Sequence, residues 1–195
     1  VVTPRLVTVL GDSITAGYGL RPGEALPPQL EKSLLRAGTS VRVIGAGVSG
    51  DTIRDGLARL DRDVPARTDL CVVALGANDL MQSVSPDRVR ADLDTLLKRL
   101  RDRSIPALLC GMRAPPWLVR YAPRFDAAFA AAARSAAAPL YPFLLQDVAL
   151  VPELNLPDRI HPNARGIALI ARNLTPAVQA ALGAAEPSAG RRLDD

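Results

Sequence analysis

The run Leu6-Val7-Thr8-Val9-Leu10-Gly11-Asp12-Ser13-Ile14-Thr15-Ala16-Gly17-Tyr18-Gly19 sets the fold. Its first five residues are apolar or β-branched and read as a buried strand. The small, polar, glycine-bounded residues after them read as a loop at the strand's carboxyl end. The same pattern recurs along the chain. Val41–Ile44, Leu70–Leu75, Ala107–Cys110 and a short Leu140–Phe143 are further strand candidates. Between them lie amphipathic stretches that predict helices over Pro28–Ala37, Thr52–Asp63, Pro86–Arg103 and Arg124–Ala138, closed by Pro162–Leu182. Pro86 and Pro162 suit a first helical turn, where the missing N–H would be unpaired anyway. Strands alternating with helices predict an α/β fold with a doubly wound, flavodoxin-like parallel sheet of five strands in the order 2-1-3-4-5.

Composition narrows the chemistry. The chain has 195 residues, 48% hydrophobic and 23% charged, enough for one domain with a substantial core. That domain is expected over residues 1–183, with 184–195 as a flexible tail. No apolar run reaches the roughly 18 residues of a membrane helix, so no integral membrane segment is expected. The net charge of +4 is scattered rather than blocked, which argues for a solvated basic surface and against nucleic-acid binding. The chain opens on Val1–Val2 without a start Met. The start reads as processed or trimmed, and an export signal lost with it would place the protein in the periplasm or outside the cell, with the cytoplasm as the alternative. One histidine and two cysteines put a Cys/His zinc site out of reach, so no metal is expected. If an imidazole base works here, it is His161.

In doubly wound sheets ligands bind beyond the carboxyl ends of the strands. Ser13 follows the first strand. Asp158 lies three positions before His161, so a turn can bring its carboxylate to Nδ1 and leave Nε2 to take a proton from Ser13. The Ser13 and Gly50 N–H groups and the Asn78 amide come from three strand ends and can converge as oxyanion donors. Each block alone also reads as a turn former or a helix cap. The run Gly45-Ala46-Gly47-Val48-Ser49-Gly50 matches a dinucleotide-binding G-x-G-x-x-G, but lacks the acidic residue at the end of the next strand. A nucleotide-binding module is the rival from another class.

Gly11-Asp12-Ser13, Gly50, Gly76-x-Asn78-Asp79 and Asp158-x-x-His161, taken together, resemble the four blocks of the SGNH (GDSL) hydrolases. The longer runs GDSITAGYGL, GVSGDT, LGAND, GMRAPP and HPNARG are similar to the bacterial thioesterase I/lysophospholipase/arylesterase branch. The resemblance implies a three-layer α/β/α fold and a cofactor-free triad of Ser13, Asp158 and His161. It also implies an oxyanion hole of Ser13, Gly50 and Asn78, acting on a small acyl ester or thioester. One position departs: the second block often opens with Asn, and here it is Gly45. The reading is a serine carboxylesterase for short- to medium-chain acyl esters, with an acyl-CoA thioesterase or lysophospholipase as the alternative. Leu80, Met81, Met112, Trp117 and Ile160 are the expected walls of a short acyl pocket.

Overall fold

The computed structural model describes residues 3–185. In chain order its elements are β1 (Arg5–Gly11), α1 (Ser13–Ala16), α2 (Leu26–Arg36), β2 (Val41–Gly47), α3 (Ile53–Ala58) and α4 (Leu60–Asp63). There follow β3 (Leu70–Ala74), α5 (Ala77–Met81), α6 (Pro86–Asp102), β4 (Ala107–Cys110), α7 (Ala122–Ser135), β5 (Leu140–Tyr141) and α8 (Ala164–Ala184). Single 3-10 turns occur at Pro22–Glu24 and Pro152–Leu154.

All strand pairs are parallel, and the sheet order is β2-β1-β3-β4-β5, as the sequence predicts. Right-handed crossovers place α2 and α8 together on one face and α3, α6 and α7 on the other. Strands covered on both faces need continuous apolar character. β3 supplies it, since all of Leu70–Ala74 is buried. α6 shows why these helices form where they do. Ser85 caps it by accepting the Arg88 N–H at 3.2 Å, and Pro86 opens the first turn. Val89, Leu93, Leu96 and Leu100 then recur at helical spacing and are fully buried. Cutting any of these leucines to Ala leaves a cavity costing roughly 2–5 kcal/mol. In α7, Phe125 and Phe129 bury one stripe of an otherwise Ala-rich helix, their rings edge-on at 5.4 Å.

Several boundaries differ from the sequence reading. The helix expected over Thr52–Asp63 is two helices that meet at Arg59, whose φ of -110° breaks the turn. Pro162 is buried ahead of the last helix instead of opening it. Asn163 is the cap, its Oδ1 accepting the Gly166 N–H at 3.0 Å. β5 stops at Tyr141 because Pro142 has no N–H to extend a ladder. α8 includes Ala184, the first residue assigned to the tail; residues 186–195 of that tail lie outside the described residues.

Candidate active site

Three of the expected site residues are placed by the sheet order. β1 lies between β2 and β3, so the loop carrying Ser13 is flanked by the β2 loop with Gly50 and the β3 loop with Asn78. Ser13 is the first residue of α1 and 9% exposed. Asp12 caps that short helix, its Oδ1 accepting the Ile14 N–H at 3.0 Å. Burial pushes the Asp12 carboxyl up to about 6, against the lowering effect of its backbone hydrogen bonds. The Ser13 N–H, in the first turn, has no intrahelical partner and none among the described residues.

Gly50 has φ +88°, a conformation that side chains other than glycine rarely adopt, and its N–H is likewise unpaired among the described residues. Asn78 Nδ2 donates to the Asp51 carbonyl at 2.9 Å, which ties the β3 loop to the residue next to Gly50. An amide has two hydrogens, so one remains free. Asp79, beside it, accepts the Ile53 N–H at 3.0 Å and fixes the far end of the same loop; burial pushes its carboxyl up to about 6.

The loop from Pro142 to Asn163 carries Asp158 and His161. Asp158 Oδ1 accepts the backbone N–H groups of Ile160 at 2.9 Å and His161 at 3.0 Å. Its Oδ2 lies 2.6 Å from His161 Nδ1. The backbone hydrogen bond from Ile160, then the imidazole, hold the Asp158 carboxyl down at about 2, so it stays ionised. An ionised partner at Nδ1 makes that nitrogen the donor and leaves Nε2 bare. His161 and Ser13 line one small crevice of about 160 Å³ with Ile14, Tyr18, Leu20 and Ile167. Ser13 Oγ and His161 share no hydrogen bond in this ligand-free arrangement; catalytic hydrogen bonds commonly tighten only around substrate.

The sequence reading missed two residues here. Tyr18 stacks on His161, with ring centroids 4.3 Å apart. Its place between Gly17 and Gly19, in a loop otherwise of small residues, is the signal that marks it. Arg59 is buried and binds Ala46 and Asp51; one of three arginines in a helical stretch carries no such signal. The five acyl-pocket candidates are dispersed. Met112 is in the core, 5% exposed, its side chain against Gly76 and not facing the Ser13 cleft. Leu80 is half-buried against the core, whereas Met81, Trp117 and Ile160 are exposed at the surface, and none of the five lines the crevice shared by Ser13 and His161.

The G-x-G-x-x-G match does not build a phosphate site. β2 continues through Gly47, and the next helix opens only at Ile53. Its leading N–H groups are taken: Thr52 N donates to Asp55 and Ile53 N to Asp79. Gly45, where Asn is common, sits where a Cβ would come within 2.8 Å of the Pro27 ring.

A parallel 2-1-3-4-5 sheet with serine, imidazole–carboxylate and free N–H donors at its carboxyl edge defines a serine hydrolase. The model of the GDSL-like lipase/acylhydrolase family matches residues 9–169. The chain belongs to that family and is a hydrolase of ester bonds. It is 34% identical to an arylesterase of Vibrio mimicus over 156 residues, 79% of this chain and 78% of that one. Esterase TesA of Pseudomonas aeruginosa is 32% identical over 180 residues, 90% of this chain and 88% of that protein. Among solved structures, TesA superposes with a TM-score of 0.85 at 31% identity, covering 91% of this chain and 99% of the other. AlinE4, an SGNH-hydrolase family esterase, gives 0.76 at 42% identity, covering 93% and 98%.

Proposed function

We propose that the chain hydrolyses short- to medium-chain acyl esters through an acyl-enzyme on Ser13. His161 Nε2 takes the Ser13 hydroxyl proton as Oγ attacks the ester carbonyl. The N–H groups of Ser13 and Gly50 and the Asn78 amide receive the oxyanion. The imidazolium gives its proton to the leaving alcohol, and the alkoxy C–O bond breaks. A water then attacks the acyl carbonyl with His161 again as base, and the carboxylic acid departs as Ser13 recovers its proton. Asp158 stays ionised and holds the tautomer.

The observation that carries this reading is the Asp158–His161 bond of 2.6 Å, made by an imidazole that shares a cleft with Ser13. The short-chain preference rests on the small volume beside Ser13 and His161, about 160 Å³. The larger cavities, between α6, α7 and α8 and between α2 and α8, are lined by other residues. A thioester reading uses the same groups. It is favoured by 32% identity over 157 residues to a protein of Escherichia coli named thioesterase 1/protease 1/lysophospholipase L1. No helix among the described residues is long and apolar enough to cross a membrane, and by family resemblance the periplasm or the exterior is the proposed compartment. The deciding experiment is turnover by purified Ser13→Ala on p-nitrophenyl butyrate. Loss of turnover with an unchanged melting curve supports the triad; full turnover ends it.

A further inference from the structure

Arg59 interrupts its own helix to turn a guanidinium inward, and at 8% exposure it is the one buried arginine or lysine among the described residues. Its Nε donates to Asp51 Oδ2 at 2.6 Å, and its Nη2 to the Gly11 carbonyl at 2.8 Å. Its Nη1 donates to the Ala46 carbonyl at 2.9 Å and to Asp63 Oδ2 at 3.1 Å. These acceptors are not a random set. Gly11 ends β1, two residues before Ser13. Ala46 is in β2, four residues before Gly50. Asp51 follows Gly50, and its carbonyl holds the Asn78 amide at 2.9 Å. One planar group therefore binds directly two of the three segments that carry the oxyanion donors, and reaches the third, with Asn78, through Asp51.

We infer that Arg59 is a positioning residue for the oxyanion hole, fixing the Gly50–Asp51 loop, and through it Asn78, against the end of β1. This rests on the oxyanion reading given above. Gly45 supports it from the other side. With the Pro27 ring where its Cβ would be, position 45 offers no side chain to brace the loop, and the guanidinium reaches the same loop from α3. A fixed fork of five donors can span Asp51, Ala46 and Gly11 together. An ammonium on a flexible stem cannot hold that geometry. Oxyanion stabilisation depends on donors placed before the charge develops, so a loosened loop weakens transition-state binding more than substrate binding.

The test is a double-mutant cycle of Arg59→Lys and Asn78→Ala, read as kcat and KM on p-nitrophenyl butyrate, with melting temperature measured in parallel. Arg59→Lys is expected to lower kcat about 10-fold with KM within about 2-fold. In the Asn78→Ala background it should cost no more than about 3-fold, because one of the two donors it positions is gone and only Gly50 remains to be held. A merely structural arginine would lower the melting temperature and leave kcat of the folded enzyme alone, and that result overturns the inference. An undiminished 10-fold loss in both backgrounds overturns it too, while leaving the oxyanion reading standing. If Asn78→Ala alone leaves kcat unchanged, the oxyanion reading itself fails and takes this inference with it. Should Arg59→Lys not fold, Asp51→Ala takes its place in the same cycle, since it removes the carboxylate that links Arg59 to the loop. The same coupling supports the inference, and additivity overturns it.

Discussion

The ring of Tyr18 lies against the imidazole of His161, with centroids 4.3 Å apart and planes inclined by 34°. Asp158 holds one edge of the imidazole, and Tyr18 covers a face. A ring held on two sides loses little further freedom when it must meet the Ser13 hydroxyl. Tyr18→Ala is expected to lower kcat/KM by about 3- to 10-fold, the order of one aromatic contact of about 0.5–1.5 kcal/mol. Tyr18→Phe should keep most of the activity, because the contact is made by the ring. Steady-state kinetics on the two variants checks this; equal losses would assign the role to the hydroxyl.

Acyl-chain preference follows from the cleft. Each further methylene adds about 0.8 kcal/mol only while there is apolar wall to cover it. In a p-nitrophenyl ester series, kcat/KM should be highest between about C2 and C8 and lower for longer chains. An optimum at palmitate would mean that the protein covers far more of the chain than the small crevice beside Ser13 can.

Asp12 makes stability depend on pH in an unusual direction. Its folded carboxyl titrates at about 6 against an ordinary 3.8, with burial as the cause. The folded state thus binds the proton more tightly than the unfolded chain. Its contribution to stability is full below the unfolded value and is lost as pH rises from about 4 to about 6. Asp158 behaves oppositely: held at about 2, its contribution is full above 3.8 and is lost only as pH falls through 2. Asp12→Asn keeps a capping oxygen but removes the titration. Urea unfolding should show the variant gaining on the parent by roughly 1–3 kcal/mol between pH 4 and pH 7. Parallel profiles for the two proteins would contradict this.

Cys71 and Cys110 are free and fully buried, and burial pushes the Cys71 thiol up to about 12 and that of Cys110 higher still. Aligning Gly76 with Gly111 in the sequence predicts Cys71 opposite Pro106. The structure shifts this by one residue and pairs Cys71 with Ala107. Cys110 then lies three residues further along the sheet than Cys71, ~10 Å, beyond the ~7 Å that a disulfide tolerates. A thiol reagent should label neither cysteine in the native protein and both after denaturation. Rapid native labelling would place one of them at the surface.

The strand order was legible because each strand is an apolar run closed by a small polar loop, and parallel crossovers leave few topologies. Register was not. Gly76 has left β3, with φ +125° at the cap of α5, so its level says nothing about the level of Gly111. The short helices α1 and α5 were hidden because their residues are those of a loop, and only the cap of Asp12 or the turn at Gly76 makes them helical. The contact of Asp158 with His161 Nδ1 could be read from their spacing, and a chain with one histidine leaves one candidate base to propose for Ser13. Arg59 could not. Its helical stretch carries an ordinary scatter of charges, and only the tertiary fold shows which arginine turns inward. The acyl pocket was the least legible part, because exposure separates Trp117 from Met112 and the sequence gives both the same apolar character.

The claim on which the rest depends is that Ser13 is the nucleophile. Treatment with a p-nitrophenyl alkylphosphonate, followed by intact mass and peptide mapping, tests it most directly. The expected result is one phosphonyl group per chain, on the peptide containing Ser13, with loss of activity in proportion and no adduct on Ser13→Ala. A stoichiometric adduct on another residue, or full inhibition with Ser13 unmodified, would contradict it.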